Sequence, residues 1–190
     1  WRTVGPYLAQ LVTLMTDTQA TFAPENWAGY EPIAVDGSSV SRPGAEGTTA
    51  RIHYALRLDT LRPVQLEVTD DKGGETFRRF DAEPGQLWMG DRVYANPPGI
   101  ASITGAGADV VVRYNRGSLP LFNIDGKPLD VQKMLTKLKR PGAAREWYAE
   151  VRPHGGKAIV GRLCALLLPP DKAEEARQRA RREQGASVTQ

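Results

Sequence analysis

The stretch IAVDGSSVSRPGAEGTTARIHYALRL, residues 33–58, decides the reading of the fold. It opens with three apolar residues closed by Asp36, and the following Gly37, Ser38 and Ser39 are turn-prone. A Gly-, Ser- and Pro-containing loop follows over residues 41–48. Residues 51–58 then alternate, with Ile52, Tyr54, Leu56 and Leu58 on one face and Arg51, His53 and Arg57 on the other. Period two marks a strand with unlike faces, and the apolar set is expected inward, with His53 on the outer face as a structural residue. Residues 64–68 (VQLEV) alternate likewise, with Gln65 and Glu67 expected to point away. The short link over 59–63 predicts a hairpin between the two.

Working outward, Gly73-Gly74 after Thr69-Asp70-Asp71-Lys72 is a strong turn signal. Residues 75–80 form a short helix candidate. Residues 87–89 are an apolar strand ending at Gly90-Asp91. Residues 97–105 read as a helix, with proline suited to its first turn. DVVVRY, residues 109–114, is a β-branched strand. The order strand, strand, strand, helix, strand, helix, strand describes a mixed α/β sheet with helices packed on it.

The texture changes after residue 114. LFNIDGK (121–127) predicts a strand and a turn, and residues 131–138 a helix with Val131, Met134, Leu135 and Leu138 inward. Residues 147–151 and 158–168 predict paired strands, with Trp147 and Tyr148 packing this β-rich region and His154 solvated in the link. From Pro170 the sequence KAEEARQRARREQ is helical by propensity but nearly free of large apolar residues, so little of it is expected to be buried. At the other end, residues 5–16 predict an amphipathic helix. The organisation expected is a helix and linker over 1–29, a core over 30–115, a β-rich insertion over 116–169, and a charged, partly disordered helical tail over 170–190.

The 190 residues, 41% of them hydrophobic, suffice for one ordinary domain core. No run of about 18 uncharged apolar residues exists, so no membrane span is expected. No basic start followed by an apolar core marks a leader. The first residue is Trp1, so the natural N-terminus is expected to lie outside this sequence. The single Cys164 excludes an internal disulfide and fits a reducing compartment. Its CALLL setting predicts a buried small hydrophobe. A net charge of +3 does not by itself indicate nucleic acid. The basic residues cluster, however, at Arg78–Arg79, Lys137–Arg140 and Arg177–Arg182, as phosphate contacts or solvated faces do.

Asp36 and Asp91 each end an apolar strand beside a glycine. Carboxylates on neighbouring strand ends suit a divalent cation, because Mg²⁺ takes one or two carboxylates and completes its shell with water and phosphate oxygens. On spacing alone they suit turns and caps as well. Glu75 either caps the helix after it or supports such a site.

The segments over 33–58, 64–80 and 87–115 together resemble insertion-sequence transposases with a DDE active site, in the branch whose catalytic domain carries a β-rich insertion. The carrying pieces are D-G-S at Asp36, R-x-H at Arg51, T-D…G-E ending at Glu75, G-D-R-x-Y at Asp91 and G-A-D-V-V-V-R ending at Arg113. The resemblance spans roughly residues 30–170. It implies a ribonuclease-H-like fold, Asp36 and Asp91 as the first two catalytic, metal-binding carboxylates, and Mg²⁺ or Mn²⁺ as the cofactor. It implies attack by water and then by a DNA 3′-hydroxyl on phosphodiesters, and DNA contacts at Arg92, Tyr94 and Arg113. The implied partners are double-stranded DNA (terminal inverted repeats and target) and a second copy of the full-length protein. The implied setting is the bacterial cytoplasm, at the nucleoid.

One departure is plain. The family's third carboxylate stands in Y-x2-R-x3-E-x6-K, and no Tyr here begins that pattern; Tyr148 is followed at the third place by Val151. The chain as it stands is therefore expected not to cut or join DNA. The alternatives are a non-catalytic DNA-binding remnant or another nuclease of the same fold.

Overall fold

The computed structural model describes residues 27–44 and 46–186. The helix expected over 5–16 lies outside the described residues. The described residues divide into two compact units, one holding those up to Leu119 with Pro153–Lys157, the other Pro120–Arg152 and those from Ala158 on.

The first unit is built on a five-stranded sheet. Its strands are β1 (Glu31–Val40), β2 (Ala50–Arg57), β3 (Arg62–Asp70), β4 (Gln86–Gly90) and β5 (Asp109–Val112), in the spatial order β3-β2-β1-β4-β5. β2 runs antiparallel to both β1 and β3, while β4 is parallel to β1 and β5 to β4. A 3-10 turn, η1 (Phe77–Arg79), lies between β3 and β4, and the helix α1 (Pro97–Gly105) between β4 and β5. The expected mixed α/β sheet with flanking helices is therefore present. α1 starts where it does because Asn96 accepts from Gly99 N at 2.9 Å, with Pro97 and Pro98 in the first turn.

Two expectations about this sheet fail. Asp36 does not end β1; Asp36, Gly37, Ser38 and Ser39 stay in the strand, paired with Tyr54, His53, Ile52 and Arg51. Ladder pairing with β2 overrides the local turn propensity of that segment. The faces of β2 are also reversed, while β3 is half-buried along its length with Val64 against the core. His53 and Ala55 are fully buried, and Ala55 packs in the core, whereas Ile52, Tyr54 and Leu56 are half-buried. The segment before β4 packs over the more polar face and satisfies it. Gln65 Nε2 donates to Asp81 O at 2.6 Å, Asp81 N donates back to Gln65 Oε1 at 2.9 Å, and Arg79 Nη1 donates to both Glu67 oxygens at 3.0 and 2.9 Å. His53 Nε2 lies 3.0 Å from Thr69 Oγ1.

The core joins Ile33 and Val35 of β1, Ala55 of β2, Phe77 and Phe80 around η1, Trp88 of β4, Tyr94, Ile103 of α1 and Ala108. Trp88 satisfies its one polar atom by donating from Nε1 to Gln86 Oε1 at 3.0 Å. The Phe77 and Tyr94 rings pack at 5.1 Å, and those of Phe80 and Trp88 at 5.6 Å.

The second unit carries β6 (Leu121–Phe122), a short helix α2 (Val131–Leu135), β7 (Ala144–Val151), β8 (Ile159–Leu166) and α3 (Pro170–Ala186). Its three strands form an antiparallel sheet in the order β6-β7-β8. Val131 and Leu138 are buried as expected, but Leu135 is exposed because α2 ends there and the chain leaves the helical period. Cys164 is exposed rather than buried: on β8 it is Leu163 that turns inward. Along α3, Lys172–Glu175 and Glu174–Arg177 pair in solvent, as its charge pattern predicts.

Candidate functional site

The site forms where β1 parts from β4. Their parallel pairing runs from Glu31↔Gln86 to Ala34↔Met89, after which β4 stops at Gly90 while β1 continues along β2 to Val40. Extending that register by two places puts Asp36 alongside Asp91. Both residues therefore stand at one fork, where β4 ends and β1 runs on along β2.

Each aspartate is held by its surroundings. Asp36 Oδ1 accepts from Gly37 N at 2.8 Å, and Oδ2 accepts from the Tyr54 hydroxyl at 3.2 Å. Burial, followed by the Asp36 carboxylate, holds the Tyr54 phenol above its ordinary value. Asp91 Oδ1 accepts from Val93 N at 2.8 Å, which bends the chain after β4. Asn96 N then donates to Tyr94 O at 2.8 Å and the chain enters α1.

A third carboxylate reaches the same fork. Glu75 does not cap η1; Thr76 does, accepting from Arg78 N at 3.3 Å. The Glu75 side chain instead lies over Gly37, where a Cβ would come within 2.7 Å of Glu75 Oε1. Burial, then the Asp36 and Asp91 carboxylates, push its pKa up, while Arg51 at 3.8 Å pulls the other way. Among the described residues, no three His, Cys, Asp or Glu side chains are grouped so as to hold one metal ion directly.

Tyr94 is fully buried and presents no face to a DNA backbone, contrary to the role the resemblance implies for it. Its ring packs on Phe77 and fills the space above Gly90, where a Cβ would meet Tyr94 Cβ at 2.7 Å. Its buried hydroxyl has no hydrogen-bond partner in the chain. Burial raises its pKa first, then the charges of Glu75, Asp36 and Asp91.

The two other residues expected at DNA lie nearby. Arg113 follows β5, is exposed, and its backbone N donates to Gly90 O at 3.3 Å. Arg92 is half-buried, and its carbonyl accepts from Asn115 Nδ2 at 3.2 Å. At the same end of the sheet an open depression of about 600 Å³ is lined by Arg42, Thr49, Thr69, Lys72 and Arg79 among others. Sequence reasoning left Glu75 undecided and did not place Tyr54 at the site. The G-E of the T-D…G-E piece signalled the first, and nothing in the alternation of β2 distinguished the second.

No family model matches the chain, and no solved structure matches it. Curated proteins do. The chain is 28% identical over 144 residues to the transposase for insertion sequence element IS421 of Escherichia coli, a match covering 73% of this chain and 38% of that protein. It is equally similar to InsL, named for the transposase of insertion sequence element IS186A in Escherichia coli strain K12, covering 39% of that protein. The chain thus spans about two fifths of the length of the curated relatives it matches. Over most of its own length, this chain is similar to insertion-sequence transposases.

Proposed function

We propose that the chain is part of the catalytic domain of a DDE transposase with a ribonuclease-H-like fold, and that Asp36 and Asp91 are two of its metal-binding carboxylates. The observation that carries this reading is the placement of both aspartates at one fork between adjacent parallel strands. The order β3-β2-β1-β4-β5, with β2 alone antiparallel to the rest, supports the fold. The donor set suits Mg²⁺ or Mn²⁺, which bind through one or two carboxylates and keep several waters. When bound, such ions stabilise the attacking and leaving oxygens of a phosphodiester displacement.

The chain's own groups prepare the fork. Tyr54 and the Gly37 and Val93 amides hold the two carboxylates in place. Arg113, Arg92 and the basic depression offer phosphate contacts to double-stranded DNA, the terminal repeats and target of the whole protein. Water and then a DNA 3′-hydroxyl would act as nucleophiles in that protein, working as a homodimer in the bacterial cytoplasm. The present 190 residues lack Y-x2-R-x3-E-x6-K and would not cleave DNA by themselves.

Titration calorimetry with Mn²⁺ and Mg²⁺ tests the reading. Saturable binding that disappears in both Asp36→Ala and Asp91→Ala supports a shared site. Binding indifferent to both substitutions refutes it. Nicking of supercoiled DNA by the unaltered chain would refute the expected inactivity.

A further inference from the structure

The fork holds two groups that the aspartate pair does not explain. Glu75 brings a third, half-buried negative charge beside Asp36 and Asp91, and Gly37 leaves room for it. Tyr94 brings a hydroxyl that is fully buried and has no partner in the chain, on a ring packed over Gly90, the residue before Asp91. Three crowded carboxylates repel one another, and a buried unpaired hydroxyl is unfavourable. One occupant relieves both: a cation that carries its own water molecules.

We propose that Glu75 and Tyr94 form the outer wall of a hydrated divalent-cation site, hydrogen-bonding the waters of an ion whose direct ligands are Asp36 and Asp91. The inference rests on the reading of those aspartates as ligands. A water-mediated role fits Mg²⁺, which dehydrates reluctantly and keeps several waters. Arg51, at 3.8 Å, steadies the Glu75 carboxylate. The ring contact with Phe77 and the missing side chain at Gly90 fix the Tyr94 hydroxyl in place.

Mn²⁺ binding to the 190-residue chain, followed by the loss of the free-ion electron paramagnetic resonance signal, tests this. Glu75→Gln keeps the shape and removes the charge. Gly37→Ala keeps the charge and displaces the carboxylate, since its new Cβ would lie within 2.8 Å of three Glu75 atoms. Both are expected to weaken Mn²⁺ binding by about 10- to 100-fold, as loss of an outer partner does at other metal sites. Tyr94→Phe shifts it in the same direction. Circular dichroism establishes that each variant is folded, and if Glu75→Gln is not, Gly37→Ala carries the test. Affinities of Glu75→Gln and Gly37→Ala indistinguishable from the parent, with Asp36→Asn abolishing binding, overturn the wall and leave the aspartate pair standing. Failure of the unaltered chain to bind, or binding that survives Asp36→Asn and Asp91→Asn, overturns both.

Discussion

The Tyr54 hydroxyl donates to Asp36 Oδ2 at 3.2 Å, from the position directly opposite on the neighbouring strand. A cross-strand pair fixes a carboxylate more firmly than a loop contact does, because the ladder sets both backbones. Tyr54→Phe deletes only the donor. The bond is long, so its loss is expected to cost about 0.5–1.5 kcal/mol in orienting Asp36. That corresponds to a loss of roughly 2- to 10-fold in Mn²⁺ affinity, with little change in melting temperature. Calorimetry on the variant measures it, and an unchanged affinity would mean that Tyr54 merely lies beside the site.

Gly90 offers a test of how tightly the fork is packed. A Cβ there would stand 2.7 Å from Tyr94 Cβ and 3.0 Å from Phe77 Cζ, atoms held by the core rather than by a flexible tip. Gly90→Ala should therefore destabilise the first unit by about 1–3 kcal/mol. Gly105, the last residue of α1, has nothing within 4 Å of such a Cβ, and Gly105→Ala should be neutral or stabilise by up to about 1 kcal/mol. Urea unfolding of the two variants should move in opposite directions or differ by most of that range. Equal effects would mean that the packing around Tyr94 is looser than its burial indicates.

The sequence was informative where one physical cause acts alone. The β-branched run at Asp109–Val112, the proline-led α1 and the hairpin of β2 and β3 all follow from local chemistry, and the structure has them. The fork aspartates stood out because an apolar strand ends at, or continues past, a lone carboxylate. The side to be covered was not legible. Alternation in residues 51–58 separates two faces, but the residues before β4 chose the one with His53, Gln65 and Glu67 and satisfied it with Arg79 and Asp81. Nor was the length of β1: a DGSS segment is turn-prone alone, and only the partner strand keeps it extended to Val40. The position of Glu75 was equally non-local, since it depends on the glycine it covers, 38 residues earlier in the sequence.

Cys164 lies exposed on β8, opposite Glu146, with Leu163 taking the inward place. A thiol in the core of that sheet would react only after unfolding. Ellman's reagent should therefore titrate the one thiol of the native chain without denaturant, and guanidinium should reveal no further reactive group. A native chain that reacts only in guanidinium would place Cys164 in a packed core and reverse the facing of β8.

His53 gives the chain a pH dependence that can be assigned in sign. It is fully buried, and burial first, then the Arg79 and Arg51 guanidiniums, hold its pKa below the ordinary 6.5, with Glu67 pulling the other way. In the unfolded chain the imidazole takes up a proton near 6.5, while the folded chain resists it until a lower pH. The unfolded state then binds more protons, so stability is complete above the ordinary value and falls as pH drops through the window beneath it. His53→Gln removes that slope. It also disturbs the contact with Thr69 at 3.0 Å, at a cost of about 1–3 kcal/mol at neutral pH. Chemical denaturation of both proteins from neutral pH down toward the carboxylate range measures the difference. The gap between parent and variant should narrow on acidification. A gap that stays constant would mean that His53 is protonated in the folded chain as readily as in the unfolded one, and that the network of Thr69, Glu67 and Arg79 holds an imidazolium.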